Sequence, residues 1–392
     1  MIRVEDSIDK LVRDDLALVI TWGDGHKSRF DYVWMRDSCC CAECGDPLTA
    51  TKRISIADIA PTTRARLAAA EGPNLKIEWE DGHTSVYPRA WLRARCNCPE
   101  SRAARRHLPT LWDSSLSGNL GAIPYSEFSA DDEGLLAALE QVRDRGFSLI
   151  RTTPARLGTL ESIAAKIGFI RETNYGRVYD LVVKPDAKLF ANRAVLVPPH
   201  TDEAYRHHAQ GLALFHCLQA AKGGGGVTIL VDGFKVAEDL RRENPAAFEL
   251  LTRVPQQFAQ RYDSLDLRSA ARLIACDLDG QIVGVRFNML GSIAPDLPQE
   301  LISQFYDALR QLAVLHRDTN NWLQILLEPG DLLIIDNERV LHGRTAFDPR
   351  AGRRHLRLCY IDRDGYHSTL RVLGRKLGRF GADLVLPSGA AN

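Results

Sequence analysis

Two segments of the first hundred residues are related copies, so the fold there must use one unit twice. Leu18-Val-Ile-Thr-Trp22-Gly-Asp-Gly-His26 precedes Tyr32-Val-Trp34-Met-Arg36, then Cys39 and Cys41. At an offset of 57, Leu75-Lys-Ile-Glu-Trp79-Glu-Asp-Gly-His83 precedes Pro88-Arg-Ala-Trp91-Leu-Arg93, then Cys96 and Cys98. In each copy apolar residues alternate with polar ones, Asp-Gly supplies a turn, and a second short strand follows. The pattern predicts a small, mostly β domain over residues 1–110, with Trp34 and Trp91 as equivalent packing positions.

Six of the nine cysteines (39, 40, 41, 44, 96 and 98) fall in this region. A chain of 392 residues can bury enough core to do without disulfides, so clustered thiols in a reducing compartment read as metal ligands. Cys39, Cys41 and Cys44 can reach one ion from a tight loop, and tetrahedral structural zinc needs a fourth N or S donor. His83 and His26 are candidates on symmetry grounds, with Cys96 and Cys98 in reserve.

Charge and hydropathy exclude several classes. Lys+Arg and Asp+Glu number 50 each, so no net field draws the chain to nucleic acid or to an anionic membrane. No apolar run reaches the roughly 18 residues of a membrane span, and the start Met1-Ile2-Arg3-Val4-Glu5-Asp6 is not a signal peptide. A cytoplasmic protein is expected. The short basic run Arg102, Arg105, Arg106, His107 reads as a solvated connector, and residues 111–128 as a linker.

Residues 129–392 read as a second domain. A helix starting at Ser129 with Asp132 and Glu133 should run to Arg145 and stop at Gly146. A strand at 147–150, a helix at 159–167 and a strand at 190–197 follow. Then come an apolar run at 212–217, a glycine turn at 223–226 and a strand at 227–231. Helices are expected at 236–243, 245–251 and 298–316, and strands at 323–327, 331–335 and 356–361. Few strand–helix–strand alternations occur, which argues against a Rossmann-like sheet. An α+β domain with a barrel-like β core and helices outside fits better.

Within it, Pro198-Pro199-His200-Thr201-Asp202 ends the strand expected at 190–197. In extended chain, residues two apart share a face, so the imidazole and the carboxylate would project together. They are two-thirds of a 2-His-1-carboxylate facial triad for non-haem iron, although such a pair alone is more often a surface strand. His342 follows the 331–335 strand, its end at Asp336-Asn337 and a short loop, and Arg354 opens the next strand.

Together these residues resemble a known family. His200-Thr-Asp202, Gly225-Gly-Val-Thr228 and His342-Gly-Arg344 with Arg354 are similar to the Fe(II)- and 2-oxoglutarate-dependent oxygenases of the taurine dioxygenase superfamily. Trp34-Met-Arg36-Asp37 before the Cys-x-Cys-x-x-Cys, and Val231-Asp232-Gly233-Phe234, narrow the resemblance to γ-butyrobetaine and trimethyllysine hydroxylases, over residues 10 to 375. It implies a double-stranded β-helix (jelly roll) with iron on His200, Asp202 and His342. It implies 2-oxoglutarate paired with Arg354 near Thr228, and a structural zinc on Cys39, Cys41, Cys44 and His83. O2 is then the co-substrate, ascorbate a further candidate reductant, and a homodimer the implied assembly.

The resemblance also implies a trimethylammonium substrate held by aromatic faces through cation–π attraction. Tyr175, Tyr179 and Tyr360 fall on the cage positions. Departures stand elsewhere: Tyr179 replaces a Trp, Asn192 replaces another cage aromatic, Glu203 stands where a Tyr is usual, and Leu189 replaces an Asn. The cation end looks kept and the anion end rebuilt. Arg286 and Asn288, with Asn192 and Arg193, could form a stronger anion site. That favours (2-trimethylaminoethyl)phosphonate over γ-butyrobetaine as substrate, with trimethyllysine third. The rival classes are an oxygenase of unrelated substrate and a zinc-containing binding module that holds no iron.

Overall fold

The computed structural model describes residues 4–46, 49, 51–182, 193–221, 224–348, 350 and 352–379. They divide into one unit ending at His107 and another beginning at Leu108.

In the first unit the two sequence copies form matching three-stranded antiparallel sheets. One is Ile8–Arg13, Ala17–Trp22 and Lys27–Asp31; the other is Ala65–Glu71, Asn74–Trp79 and Thr84–Pro88. Both Asp-Gly turns need a left-handed glycine, with φ +82° at Gly25 and +86° at Gly82. Alternation buries Leu18, Ile20 and Trp22 with Leu75, Ile77 and Trp79 in one cluster. The buried indole N–H groups are satisfied in the same way in each copy, Trp22 donating to Ser28 Oγ and Trp79 to Ser85 Oγ, both at 2.8 Å. Short helices follow, Tyr32–Asp37 and Arg89–Ala94, and bring Trp34 and Trp91 together with centroids 5.7 Å apart.

In the second unit eight strands make two facing sheets. In chain order they are β1 (Val178–Val182), β2 (Val197–His200), β3 (Leu212–Gln219), β4 (Thr228–Asp232), β5 (Leu323–Ile325), β6 (Leu332–Asp336), β7 (Val340–Arg344) and β8 (His355–Ile361). One sheet has the order β1-β8-β3-β6, extended beyond β6 by Phe147–Arg151 and Ile123–Pro124; the other has the order β2-β7-β4-β5. Strand pairs thus alternate between sheets, as in a jelly roll. β6 is buried throughout and β3 over residues 212–217, and both are largely apolar on the two faces, the mark of strands covered on either side. Helices pack against the sheets, among them α1 (Asp132–Arg145), α2 (Gly233–Glu243) and α3 (Gln299–Arg317).

Several expectations are corrected. Residues 111–128 are no linker: Trp112 is buried against Phe147 at 5.3 Å, and Ile123 pairs in parallel with Ile150. The cap of α1 is Asp131, which accepts from Gly134 N, not Ser129. The strand expected at 190–197 begins only at Val197, and residues 190–192 lie outside the described residues. His342 follows the short turn after Asp336, as expected, and lies on strand β7. A polar hairpin, Pro255–Tyr262 with Leu265–Arg272, and a final helix, Arg363–Lys376, were not anticipated.

α3 carries one prediction. His316 is buried against Phe287, ring centroids 4.4 Å apart, and burial pushes its pKa down to about 3. Phe287 O in turn accepts from Thr201 N, so this contact backs the His-x-Asp loop. Below the unfolded value near 6.5 the unfolded chain takes up a proton that the folded chain refuses. Stability is therefore fully present above 6.5 and falls with acidification, by up to about 1.4 kcal/mol per pH unit from this group. His316→Leu is expected to flatten the decline in urea-unfolding free energy between pH 7 and pH 5. An unchanged slope would contradict the assignment.

Candidate active site

β2 and β7 bring the first two groups together. Their antiparallel register sets His200 opposite His342. The strands approach so closely that a Cβ on Gly343 would lie 2.5 Å from Val197 O, which is why glycine follows His342. After His200 the chain leaves the sheet, and the loop is held by two amides. Asn337 Oδ1 accepts from Asp202 N at 2.7 Å, and its Nδ2 donates to Asp202 O at 3.2 Å; Asn288 Nδ2 donates to Thr201 O at 3.0 Å. Glu203 then adopts φ +52°, a strained conformation for a non-glycine residue.

The outcome is a compact donor set. Asp202 Oδ1 lies 3.3 Å from His200 Nε2 and its Oδ2 lies 3.4 Å from His342 Nε2. Each residue offers one ligand atom, all within 4.8 Å of one another. His200 Nδ1 sits 2.9 Å from Pro198 O, which puts the proton on Nδ1 and leaves the Nε2 lone pair for a metal. Burial works against the charge on Asp202, but the flanking imidazoles and the Tyr360 hydroxyl outweigh it and hold the carboxyl well below its usual range. Burial pushes His342 down to about 4, which keeps its ring neutral, and so able to take a metal, at neutral pH.

Two chambers share this wall. Tyr179, Val197, His200 and Asp202 line both, and their empty volumes are about 580 and 670 Å3, open mouths included. The first runs inside the sheets, with leucines around Thr228, Arg344 and Arg354. Arg344 stands two residues along β7 from His342, on the same face, and donates to Val195 O at 3.1 Å. Arg354 is buried and has no carboxylate partner among the described residues. Burial, then the charge of Arg344, lowers its pKa to about 10, so it remains a cation at neutral pH. An uncompensated buried cation costs several kcal/mol and favours an anionic ligand.

The second chamber collects phenols and amides: Tyr175, Tyr205, Tyr360, Gln260 and Asn288, beside Glu203. Tyr175 and Tyr179 lie with ring centroids 5.4 Å apart. Glu203 is already engaged, accepting from Arg206 Nε at 2.7 Å, Tyr205 OH at 3.2 Å and the Gln210 amide. Tyr205 and Gln260 were not singled out in the sequence, and Arg344 was named only within the motif His342-Gly-Arg344, with no role given to it. Tyr205, only three residues past Asp202, was the findable one. Arg286 does not line the chamber; its Nη1 donates to Arg206 O at 3.2 Å. Asn192 lies outside the described residues.

Tyr360 does more than line the wall, since its hydroxyl donates to Asp202 Oδ2 at 2.8 Å. Partners of ligating carboxylates are typically worth about 10–100-fold in metal affinity or activity. Tyr360→Phe keeps the aromatic face and is expected to weaken Fe(II) binding by about that factor, with little change in the substrate KM. A selective rise in substrate KM with unchanged iron affinity would overturn this role.

In the first unit Cys39, Cys41 and Cys44 stand 3.4, 3.6 and 3.5 Å from His83 Nε2. A tetrahedral zinc with ordinary Zn–S and Zn–N lengths has an S···N edge of about 3.5 Å. The four donors therefore fit such an ion. His26 faces Cys96 and Cys98 instead, and Cys40 points to Ser38 O.

Comparisons with known proteins agree with this layout. The family model described as taurine catabolism dioxygenase TauD, TfdA family, matches residues 107–360. A second, γ-butyrobetaine hydroxylase-like N-terminal, matches twice, over 10–70 and 66–119, once per sequence copy. The chain is 36% identical to γ-butyrobetaine dioxygenase of Pseudomonas sp. (strain AK-1), over 91% of this chain and 93% of that one. It is 31% identical to the mitochondrial trimethyllysine dioxygenase of Gallus gallus (88% and 84%) and 28% identical to human γ-butyrobetaine dioxygenase (91% and 94%).

Proposed function

The chain belongs to the TauD/TfdA family of iron- and 2-oxoglutarate-dependent dioxygenases, in its γ-butyrobetaine and trimethyllysine hydroxylase branch, and from that premise we propose that it hydroxylates a small trimethylammonium carboxylate of the γ-butyrobetaine type. In this reading His200, Asp202 and His342 hold the iron and leave one face open. Bound there, iron couples the decarboxylation of 2-oxoglutarate to succinate and CO2 with insertion of one O2-derived oxygen into a substrate C–H bond. Arg354 receives the distal carboxylate of 2-oxoglutarate bidentately, with Thr228 and Arg344 beside it. The leucines of that chamber exclude water from the reacting centre.

Tyr175, Tyr179, Tyr205 and Tyr360 face the trimethylammonium group, and the adjoining carboxylates add to the attraction. Asn288 and Gln260 meet the anionic end. The observation that carries the choice of a carboxylate is the neutrality of that end. Among the described lining residues no guanidinium faces the second chamber, and phenols and amides suit a monoanion better than a phosphonate dianion. The phosphonate expectation rested on Arg286, whose guanidinium is occupied at Arg206 O. Trimethyllysine ranks below γ-butyrobetaine, because Glu203, the wall carboxylate that a free amino group would need, is already engaged by Arg206, Tyr205 and Gln210. Cys39, Cys41, Cys44 and His83 hold a structural zinc in the same reading, with Glu43 Oε2 3.5 Å from His83 Nδ1 orienting the ring.

The test is succinate formation, with product mass, across γ-butyrobetaine, trimethyllysine and (2-trimethylaminoethyl)phosphonate. γ-Butyrobetaine is expected to give the largest kcat/KM and a product one oxygen heavier. A preference for the phosphonate would refute the reading of the anion end, and stimulation by none of the three would refute the cage.

A further inference from the structure

The offset of 57 that relates the two copies carries a metal cluster with it. It maps His83 onto His26, Cys39 onto Cys96, Cys41 onto Cys98 and Cys44 onto Ser101. The structure obeys this mapping in space. His26 Nε2 lies 3.3 Å from Cys96 Sγ and 3.7 Å from Cys98 Sγ, and the three donor atoms cluster within 4.8 Å. Ser101, in the place of the third thiol, has its Oγ 3.2 Å from Cys98 Sγ.

Both clusters are built crosswise. The histidine after each Asp-Gly turn reaches the cysteines of the other copy. The ion pairs repeat the exchange, Arg36 to Asp81 at 3.4 Å and Arg93 to Asp24 at 3.0 Å. A pair of thiols hydrogen-bonded only to serine would need no imidazole. Here the turn aims a ring nitrogen between two sulfurs at separations that bracket the S···N edge of a zinc tetrahedron, about 3.5 Å.

We infer that His26, Cys96 and Cys98 form a second zinc site. Its two thiolates and one imidazole select a borderline-soft ion over calcium or magnesium. Both thiols lose their protons on binding. Because serine replaces the third thiol, a water completes the tetrahedron, and this ion exchanges faster than one held by Cys39, Cys41, Cys44 and His83. It ties the turn of the first copy to the loop after Arg89–Ala94 in the second. The inference rests on its own donor set and does not require the first cluster to be filled.

The experiment counts zinc by mass spectrometry in reduced, desalted protein carrying His342→Ala, so that zinc cannot lodge at the oxygenase triad. Two zinc ions per chain are expected, falling to one on adding His26→Ala or Cys98→Ser, and to one on adding His83→Ala. If the count falls with His26→Ala but is unmoved by His83→Ala, the second site stands and the first fails. One zinc per chain, retained with His26→Ala, overturns the inference. Because those variants could unfold the small unit, release to a chromophoric chelator is also followed without them. Two phases of one equivalent each are expected, and Ser101→Cys, which restores a fourth protein donor, should slow only the fast phase, by about tenfold or more. A single one-equivalent phase, unaffected by Ser101→Cys, overturns it equally.

Discussion

His342→Ala is expected to abolish succinate formation, by about 10³-fold or more, while leaving the fold standing. The argument is geometric. Asp202 stands between two imidazoles, and removing one leaves a single imidazole and a carboxylate, too few ligands to hold iron against buffer and 2-oxoglutarate. The side chain is neutral and buried, with its Nδ1 lacking a hydrogen-bond partner, so truncation breaks no ion pair beyond the site. The loss is packing against Phe215, ring centroids 5.0 Å away, typically worth about 1–3 kcal/mol in a domain of this size. Iron stoichiometry under anaerobic conditions and melting temperature separate the two effects. A variant that keeps more than a tenth of wild-type turnover would refute the triad.

The second large effect is at Arg354. Arg354→Met is expected to raise the KM for 2-oxoglutarate by about 10²–10³-fold, equivalent to roughly 3–4 kcal/mol, the order of a lost buried bidentate charge pair. It should not destabilise the protein in the absence of 2-oxoglutarate. A buried guanidinium beside Arg344, with no carboxylate partner among the described residues, costs stability, and an apolar chain of similar length removes that cost. The wild type should gain melting temperature on adding 2-oxoglutarate and the variant should not. Arg354→Lys should recover only part of the affinity, because an ammonium cannot meet both carboxylate oxygens in one plane. An unchanged KM, or a fall in stability without ligand, would assign Arg354 a structural role.

Legibility followed chemistry more than secondary structure. His200, Asp202 and His342 were readable because their residue types are uncommon together. His200 and His342 pair across β2 and β7, whereas Asp202 joins them from the turn after β2 rather than from the strand face expected of it. The tandem copies were readable as well, since alternation with Asp-Gly leaves one solution per copy, and Trp34 meets Trp91 accordingly. The polar hairpin 255–272 was not: the half-buried face of its second strand, Leu265, Leu267, Ser269 and Ala271, is short and interrupted by a serine, and gives only a weak alternation. Residues 111–128 look like a linker because Asp113-Ser-Ser-Leu-Ser-Gly-Asn119 reads as a loop, yet Trp112, Ile123 and Phe128 are buried and seat the segment on the second unit. At the substrate end the sequence misled. Arg286 has the right charge, but whether a side chain faces a cavity or a backbone carbonyl depends on its rotamer, which composition does not encode. Tyr205 was overlooked because it follows a positive-φ residue, where neither strand nor helix periodicity indicates direction.

The most direct single measurement is anaerobic titration of the wild-type protein with Fe(II) and 2-oxoglutarate, followed by visible absorption. The weak charge-transfer band of a 2-oxoglutarate–iron chelate is predicted to saturate at one equivalent per chain. Folded protein that gives no band, or a band that survives intact in His342→Ala, would contradict the assignment of His200, Asp202 and His342 as the reaction centre.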